Sequence, residues 1–361
     1  MTLFGKDPRL LVRQVGPFNG GPGPDALLSS FVTPNELFFV RNHGNVPEVD
    51  PGAFRLTVDG LVENPLSLSL ADLQRFTRRS VAATLQCAGN RRQEMMAVAP
   101  IPNELPWGTE AISNAEWSGV SLRDVLAAAG PRAGVLHAAF LGIDETERHG
   151  HRFNFGGSIP LEKAMNPEVL LADTMNGAPL PPVHGAPLRV VVPGYIGARS
   201  VKWVSRITLQ EGPSDNYFQA KAYRLFPASV GADNVEWETG MMLEESPVNS
   251  VTCSPLEGDR LPAGPVTARG WAVAGGDRRV ARVDVSTDGG NTWKTAKLEA
   301  GGDRWTWTFW SAALDLPPGE HEILCRAFDS AAQTQPSDPS QVWNFKGYAN
   351  NAWHRVRVSC S

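Results

Sequence analysis

From Ser246 onward the helical periodicity of the earlier chain disappears. VNSVTCSP, PVTARGWAV, RVARVDVSTDGGNTWKTAKL, WTWTFWSA, HEILCRAFDS and VWNFKGY follow one another, parted by Gly, Pro and Asp turns. Short strands at such regular spacing predict an antiparallel β-sandwich of immunoglobulin type. One hairpin in this stretch, STDGGNTW (286–293), matches the Asp-box of sialidases. A single copy is a folding device, with Asp288 and Gly289 making the turn and Trp293 packing back on it. A propeller would show several.

The residues before Ser246 mix signals. FRLTVDG alternates and closes on Asp-Gly, LSLADLQRF opens with a Ser or Asp cap and continues at helical spacing, and VSLRDVLAAAG is a short helix stopped by Gly130 and Pro131. ELFFVRNHGNVP reads as an apolar strand ending in a polar turn, SVAATLQC as a strand, and PLRVVVPG and SVKWVSRITLQ as buried and half-buried strands. The Gly- and Pro-rich start, up to about Ser30, reads as an extended arm. No βαβ unit repeats. The fold class is therefore α+β, with a mixed α+β domain over 1–245 followed by an all-β domain over 246–361, and 361 residues is more than one core usually holds.

Bulk properties exclude some functions. A net charge of −5 argues against a nucleic-acid partner, so any anion site must be built locally from a few placed arginines. No run of about 18 apolar residues is present, so no membrane span is expected. MTLFGKDPRLLVRQ lacks an apolar export segment and a twin-arginine pair. A cytoplasmic location is the expectation, or a periplasmic one had a leader been removed.

The four cysteines, Cys87, Cys253, Cys325 and Cys360, form no C-x-x-C pair. Zinc ribbons, thioredoxin chemistry and c-type haem attachment lack their ligands. Cys325 in EILCRAF reads as a small buried hydrophobe; a bridge to Cys253 is conceivable. Cys87 is different. In TLQCAGNRR it stands at a strand end beside Arg91 and Arg92, where cationic neighbours favour the thiolate that binds soft metals or acts as nucleophile.

TLQCAGNRRQEM resembles the molybdenum-ligand motif of the sulfite oxidase family of molybdopterin enzymes. ELFFVRNHGNVP, FLGID, MNGAPLPPVHGAPLRVVVPGYIGARSVKW and VWNFKGYANNAWHRVRV resemble further segments of that family, in the same order, from about Phe31 to Val358. The resemblance implies a molybdenum–molybdopterin cofactor ligated by Cys87. It implies cofactor contacts at Phe39, Val40, Arg41, Asn42, His43, Asp144, His184, Arg189, Ser200, Val201 and Lys202. Arg189 and Lys202 suit a phosphate, one as a planar fork and one as a point charge. It also implies a substrate pocket of Arg41, Arg92, Trp107 and Tyr223, although core packing explains Trp107 and Tyr223 equally well from the residues alone.

The implied function is oxidation of sulfite to sulfate. No His-Pro-Gly-Gly haem loop, C-x-x-C-H or cysteine cluster occurs, so no haem is expected and electrons would pass to a separate acceptor such as oxygen or a cytochrome. The alternative on the same cofactor is another oxyanion such as nitrate, since assimilatory nitrate reductases share the domain pair. A cofactor-free interaction protein is a third possibility, against which Cys87 and the arginines argue. The family forms homodimers through the second domain, and RWTWTFW offers an apolar surface for one. The sequence departs from the family at Lys346, where sulfite oxidases carry an arginine that reaches the substrate pocket and nitrate reductases an uncharged residue.

Overall fold

The structure, a computed structural model, describes residues 3–299 and 303–361. It is a strand-rich mixed α/β protein with a second, β-rich domain. In the first domain one sheet is ordered Leu66–Leu68, Leu56–Gly60, Val204–Gln210, His137–Arg148, His151–Pro160. A second contains Arg78–Gln86, Ile112–Ser121 and Leu170–Met175, with Arg189–Val191 paired to the last. A core of Leu56, Val58, Leu122, Val125, Ile159, Val190 and Ile207 lies under short helices.

Local chemistry accounts for several elements. The helix Leu70–Leu73 starts where Ser69 and Asp72 close a capping box. Leu122–Ala129 buries Leu122, Val125, Leu126 and Ala129 at helical spacing and ends on Gly130 in the left-handed conformation. In the second domain a four-stranded sheet, Asn249–Ser254, Gly264–Val273, Thr308–Leu316 and Lys297–Leu298, faces a five-stranded one containing Val280–Ser286, Gly319–Asp329 and His354–Cys360. Ala268, Val283, Val285, Trp310, Ile323 and Val356 fill the space between. The STDGGNTW turn forms as read, with Asp288 accepting from the Thr292 amide (2.9 Å) and the Trp293 indole donating to the Gly290 carbonyl (2.9 Å).

Four expectations are corrected. The Gly/Pro-rich arm is a hairpin, Leu10–Gln14 against Asn19–Pro22, followed by a one-turn helix. ELFFVRNHGNVP is not a strand: the amides of Leu37 and Phe38 both turn back to the Pro34 carbonyl, burying consecutive apolar residues from one turn. VWNFKGY is a turn too, because Asn344 caps it with its own side chain while Trp343 reaches the Ala99 carbonyl of the first domain. The closing strand is His354–Cys360 instead. RWTWTFW does not supply an outer apolar face. Trp305, Trp307 and Trp310 are buried within the chain, and Trp305 and Trp307 dock on the first domain, with Trp307 donating to Thr84 and Phe31. All four cysteines are free, and Cys325 is the buried small side chain that its strand pattern predicts.

Candidate active site

Arg78–Gln86 is hydrogen-bonded to Ile112–Ser121 up to the pair Gln86↔Ile112, then the chain breaks away at Cys87 and enters the helix Arg92–Val98. The Cys87 amide donates to the Ala111 carbonyl (2.9 Å), and the Gly89 amide donates to Cys87 Sγ (3.4 Å). The residue is thereby held through both its backbone and its sulfur, 7% exposed, on the wall of a cavity. Gly89 permits this turn, since a Cβ there would lie 2.3 Å from the Arg92 guanidinium.

The same cavity is lined by Phe39, Arg41, Asn42, His43, Asp144, His184, Arg189, Ser200, Lys202 and Tyr223, all anticipated from the sequence. Lys202 Nζ donates to Asn42 Oδ1 and to the Val183 carbonyl. Arg189 donates to the carbonyls of His184 (3.0 Å) and Ser200 (3.1 Å) and stacks over Trp117. Phe39 presents its amide to Ser113 Oγ. Val40 and Val201 are fully buried in the adjoining cores and reach neither the cavity nor the cleft described below.

The electrostatics of this chamber call for an anion. Lys6, from the N-terminal segment, sets Nζ 2.7 Å from His184 Nε2. Burial, with Lys6, Lys202 and Arg189 nearby, holds His184 well below the ordinary histidine range, so it accepts from Lys6. Burial pulls Lys6 down to about 7 and Arg189 to about 9, and burial together with Arg189 lowers Lys202. Asp144 is raised to about 7 by burial, opposed by Lys202. None of the three cations makes an ion pair within 4.0 Å among the described residues. Asn42 Nδ2 and Asp144 Oδ1 are buried without any partner. Clustered, desolvated cations beside orphaned polar atoms are costly unless a polar anionic group enters. A phosphate-bearing, polar pterin whose metal needs one soft ligand fits this donor set.

A second cleft of about 380 Å³ abuts the cavity; Arg41, Asn42 and His43 line both. Its far wall is Glu104, Leu105, Arg148, Tyr217, Lys346 and Tyr348. Tyr223 lies with its hydroxyl 2.9 Å from His43 Nε2, and His43 packs in one cluster with Phe155, on which it stacks, and Phe218. Burial and then Arg41, Arg148 and Lys202 keep His43 neutral, and burial pushes the Tyr223 hydroxyl up, so the tyrosine keeps its proton. Arg92 is brought close but lines neither space. Its guanidinium donates to the carbonyls of Lys346 and Gly347 (3.1 Å each) and of Leu105 (2.9 Å). Trp107 is fully buried in the cluster holding Cys87, with its indole N–H unpartnered, and does not reach the cavity wall. Lys346 does reach the cleft, where it pairs with Glu104.

Sequence reasoning missed Lys6, Glu104, Arg148 and Tyr348. Lys6, in a segment read as a mere arm, and Glu104, in a loop, carried no pattern to mark them; Tyr348 lay inside a quoted segment but was taken as strand.

Family models match the chain over residues 43–218, the oxidoreductase molybdopterin binding domain, and over 241–361, the Mo-co oxidoreductase dimerisation domain. Fold and chamber thus define a molybdopterin-dependent oxidoreductase. Sulfite oxidase of Arabidopsis thaliana is 40% identical, covering 97% of this chain and 94% of its own length. Mitochondrial sulfite oxidase of Homo sapiens is 44% identical over 99% of this chain, which spans 67% of that protein. The sulfane dehydrogenase SoxCD of Paracoccus pantotrophus superposes with a TM-score of 0.82 at 29% identity, over 97% of this chain and 86% of that one. The chain belongs to the sulfite oxidase family.

Proposed function

We propose that this protein oxidises sulfite to sulfate on a molybdenum–molybdopterin cofactor and passes the electrons to a separate acceptor, oxygen or a cytochrome. The observation that carries the reading is the single fixed thiol of Cys87 beside a buried cluster of Lys6, Arg189 and Lys202 that makes no ion pair within 4.0 Å among the described residues. When bound, the cofactor supplies the two-electron oxo-transfer chemistry. Cys87 would be the protein's thiolate ligand to the metal. Arg189, Lys202 and His184 would hold the phosphate end, and Asn42 and Asp144 have free polar atoms for the ring. Arg41, at the junction of cavity and cleft, orients the oxyanion, with Tyr223 donating a hydrogen bond held in place by His43. Phe155 and Phe218 exclude water behind that pair.

Two domains divided at 245/246, the second of immunoglobulin type, are the organisation we favour; two facing, mainly antiparallel sheets over Asn249–Cys360 support it. A homodimer through this second domain is supported by its match to a dimerisation domain. Steady-state turnover with sulfite and ferricyanide, oxygen or cytochrome c, on protein carrying about one molybdenum per chain, tests the function. No sulfite turnover in such protein would overturn it. Nitrate is the second reading, since an inducible nitrate reductase of Glycine max is 37% identical over 97% of this chain. Nitrate turnover above sulfite turnover in Lys346→Met would favour it.

A further inference from the structure

The cleft that opens beside Arg41 contains one carboxylate among its cations, and that carboxylate is placed where an oxyanion would be gripped. Glu104 pairs through Oε1 with Lys346 Nζ, and its Oε2 stands 3.7 Å from Arg92 Nη2. Both partners are largely buried, Glu104 at 15% and Lys346 at 18% side-chain exposure, so the pair is only weakly screened by solvent. The remaining charges facing the cleft are Arg41 and Arg148, with His43 neutral. Arg92 is already held by three carbonyls, and Arg41 by Asn19 Oδ1 and the Asn42 carbonyl. Arg148 donates to the Thr146 hydroxyl and the Glu147 carbonyl. Among the cations lining the cleft, Lys346 is the one paired to a carboxylate, and Glu104 is what it would leave for an oxyanion.

We propose that Glu104 is a specificity-determining residue of this cleft: an internal carboxylate that competes with the oxyanion for Lys346 and weakens the hold on both substrate and product. Resting on the reading of the cleft as the sulfite site, it adds the residue that sets oxyanion affinity there. A second anion beside a dianion is repulsive at this distance, and a neutral amide of the same shape removes the repulsion while leaving the space filled. A merely structural strut between the domains predicts the opposite, since Glu104→Gln would then loosen the Lys346 segment and weaken anion binding.

The test uses molybdenum-loaded wild type, Glu104→Gln, Glu104→Asp and Glu104→Gln/Lys346→Met. Calorimetric titration with sulfate, the non-reacting product anion, is run beside sulfite kinetics. In Glu104→Gln the sulfate Kd and the sulfite KM should each fall at least threefold without a rise in kcat, and Glu104→Asp should return both toward wild type. Adding Lys346→Met should abolish the gain, because the freed lysine carries it. Unchanged or weaker sulfate binding in Glu104→Gln, with wild type active on sulfite, overturns the proposal alone. Wild type that neither binds sulfate nor oxidises sulfite overturns it together with the function on which it rests.

Discussion

Cys87 owes its position to two backbone contacts, one to Ala111 and one from Gly89, and neither involves the sulfur's own substituents beyond a weak acceptor role. Cys87→Ser should therefore fold and melt like the parent, yet lose sulfite turnover, since an alkoxide is a harder ligand than a thiolate; near wild-type turnover in the serine variant would falsify the ligand assignment. Lys346 carries a second prediction at this scale. Its ammonium serves Glu104 as a point charge, whereas a guanidinium has donors enough for Glu104 and an oxyanion together. Lys346→Arg should raise kcat/KM for sulfite about fivefold, the equivalent of one added charge-assisted hydrogen bond at about 1 kcal/mol. Equal kcat/KM in Lys346→Arg and Lys346→Met would remove Lys346 from substrate binding.

Among the elements, the turn Trp343–Tyr348 matters most, because it crosses from the second domain to the first. Arg92 seats it through two carbonyls, and Gly347 makes the approach possible. Gly347 has φ of 60°, and a Cβ there would lie 2.6 Å from Arg92 Cγ. Gly347→Ala must therefore push the turn off Arg92 and carry Lys346 and Tyr348 with it. We expect a loss of at least tenfold in kcat/KM for sulfite with molybdenum content retained, because Cys87 and the cation chamber lie on other elements. Kinetics together with metal analysis check this. Loss of molybdenum would instead mean that the turn supports the cofactor chamber.

For the whole molecule, the cation chamber ties stability to pH and to the cofactor. Lys6, held near 7 by burial, is uncharged in the folded cofactor-free chain above that pH but protonated when unfolded up to its ordinary 10.5. The unfolded state then binds more protons, so stability rises with pH across that window and is lower near and below pH 7. Lys202 acts in the same direction. Cofactor-free protein should gain about 1 kcal/mol per pH unit between pH 7.5 and 8.5, and loaded protein should not, because an anion in the chamber restores the lysine charges. Unfolding of both forms at the two pH values decides it, and a flat profile in the cofactor-free form would mean that the lysines stay charged. Light scattering at micromolar concentration checks the homodimer; a monomer there rules it out. The dimer surface cannot be RWTWTFW, whose tryptophans are buried within one chain.

Patterns with a short period were legible before any coordinates. The strand Arg78–Gln86 ending at Cys87, the Ser69 cap, the helix Leu122–Ala129 and the Asp288 turn all formed where their residues predict. Each depends on contacts within a few positions, and the backbone's own periodicity writes them into the sequence. The motif resemblance carried further and brought Arg41, His43, Asp144, Arg189 and Lys202 to one cavity. The tertiary structure alone decided the rest. ELFFV is a turn because Leu37 to Val40 are all buried at once, and VWNFKGY is one because Asn344 caps it and Trp343 reaches across to Ala99, neither of which any alternation records. Lys6 meets His184 across 178 positions, Glu104 meets Lys346 across 242, and Arg92 meets Gly347 across 255. A polar side chain's partner at such separation leaves no period in the chain. It is chosen by how the two domains pack, and that packing turns a predicted substrate arginine, Arg92, into the clamp for a turn and gives Lys346 a carboxylate partner.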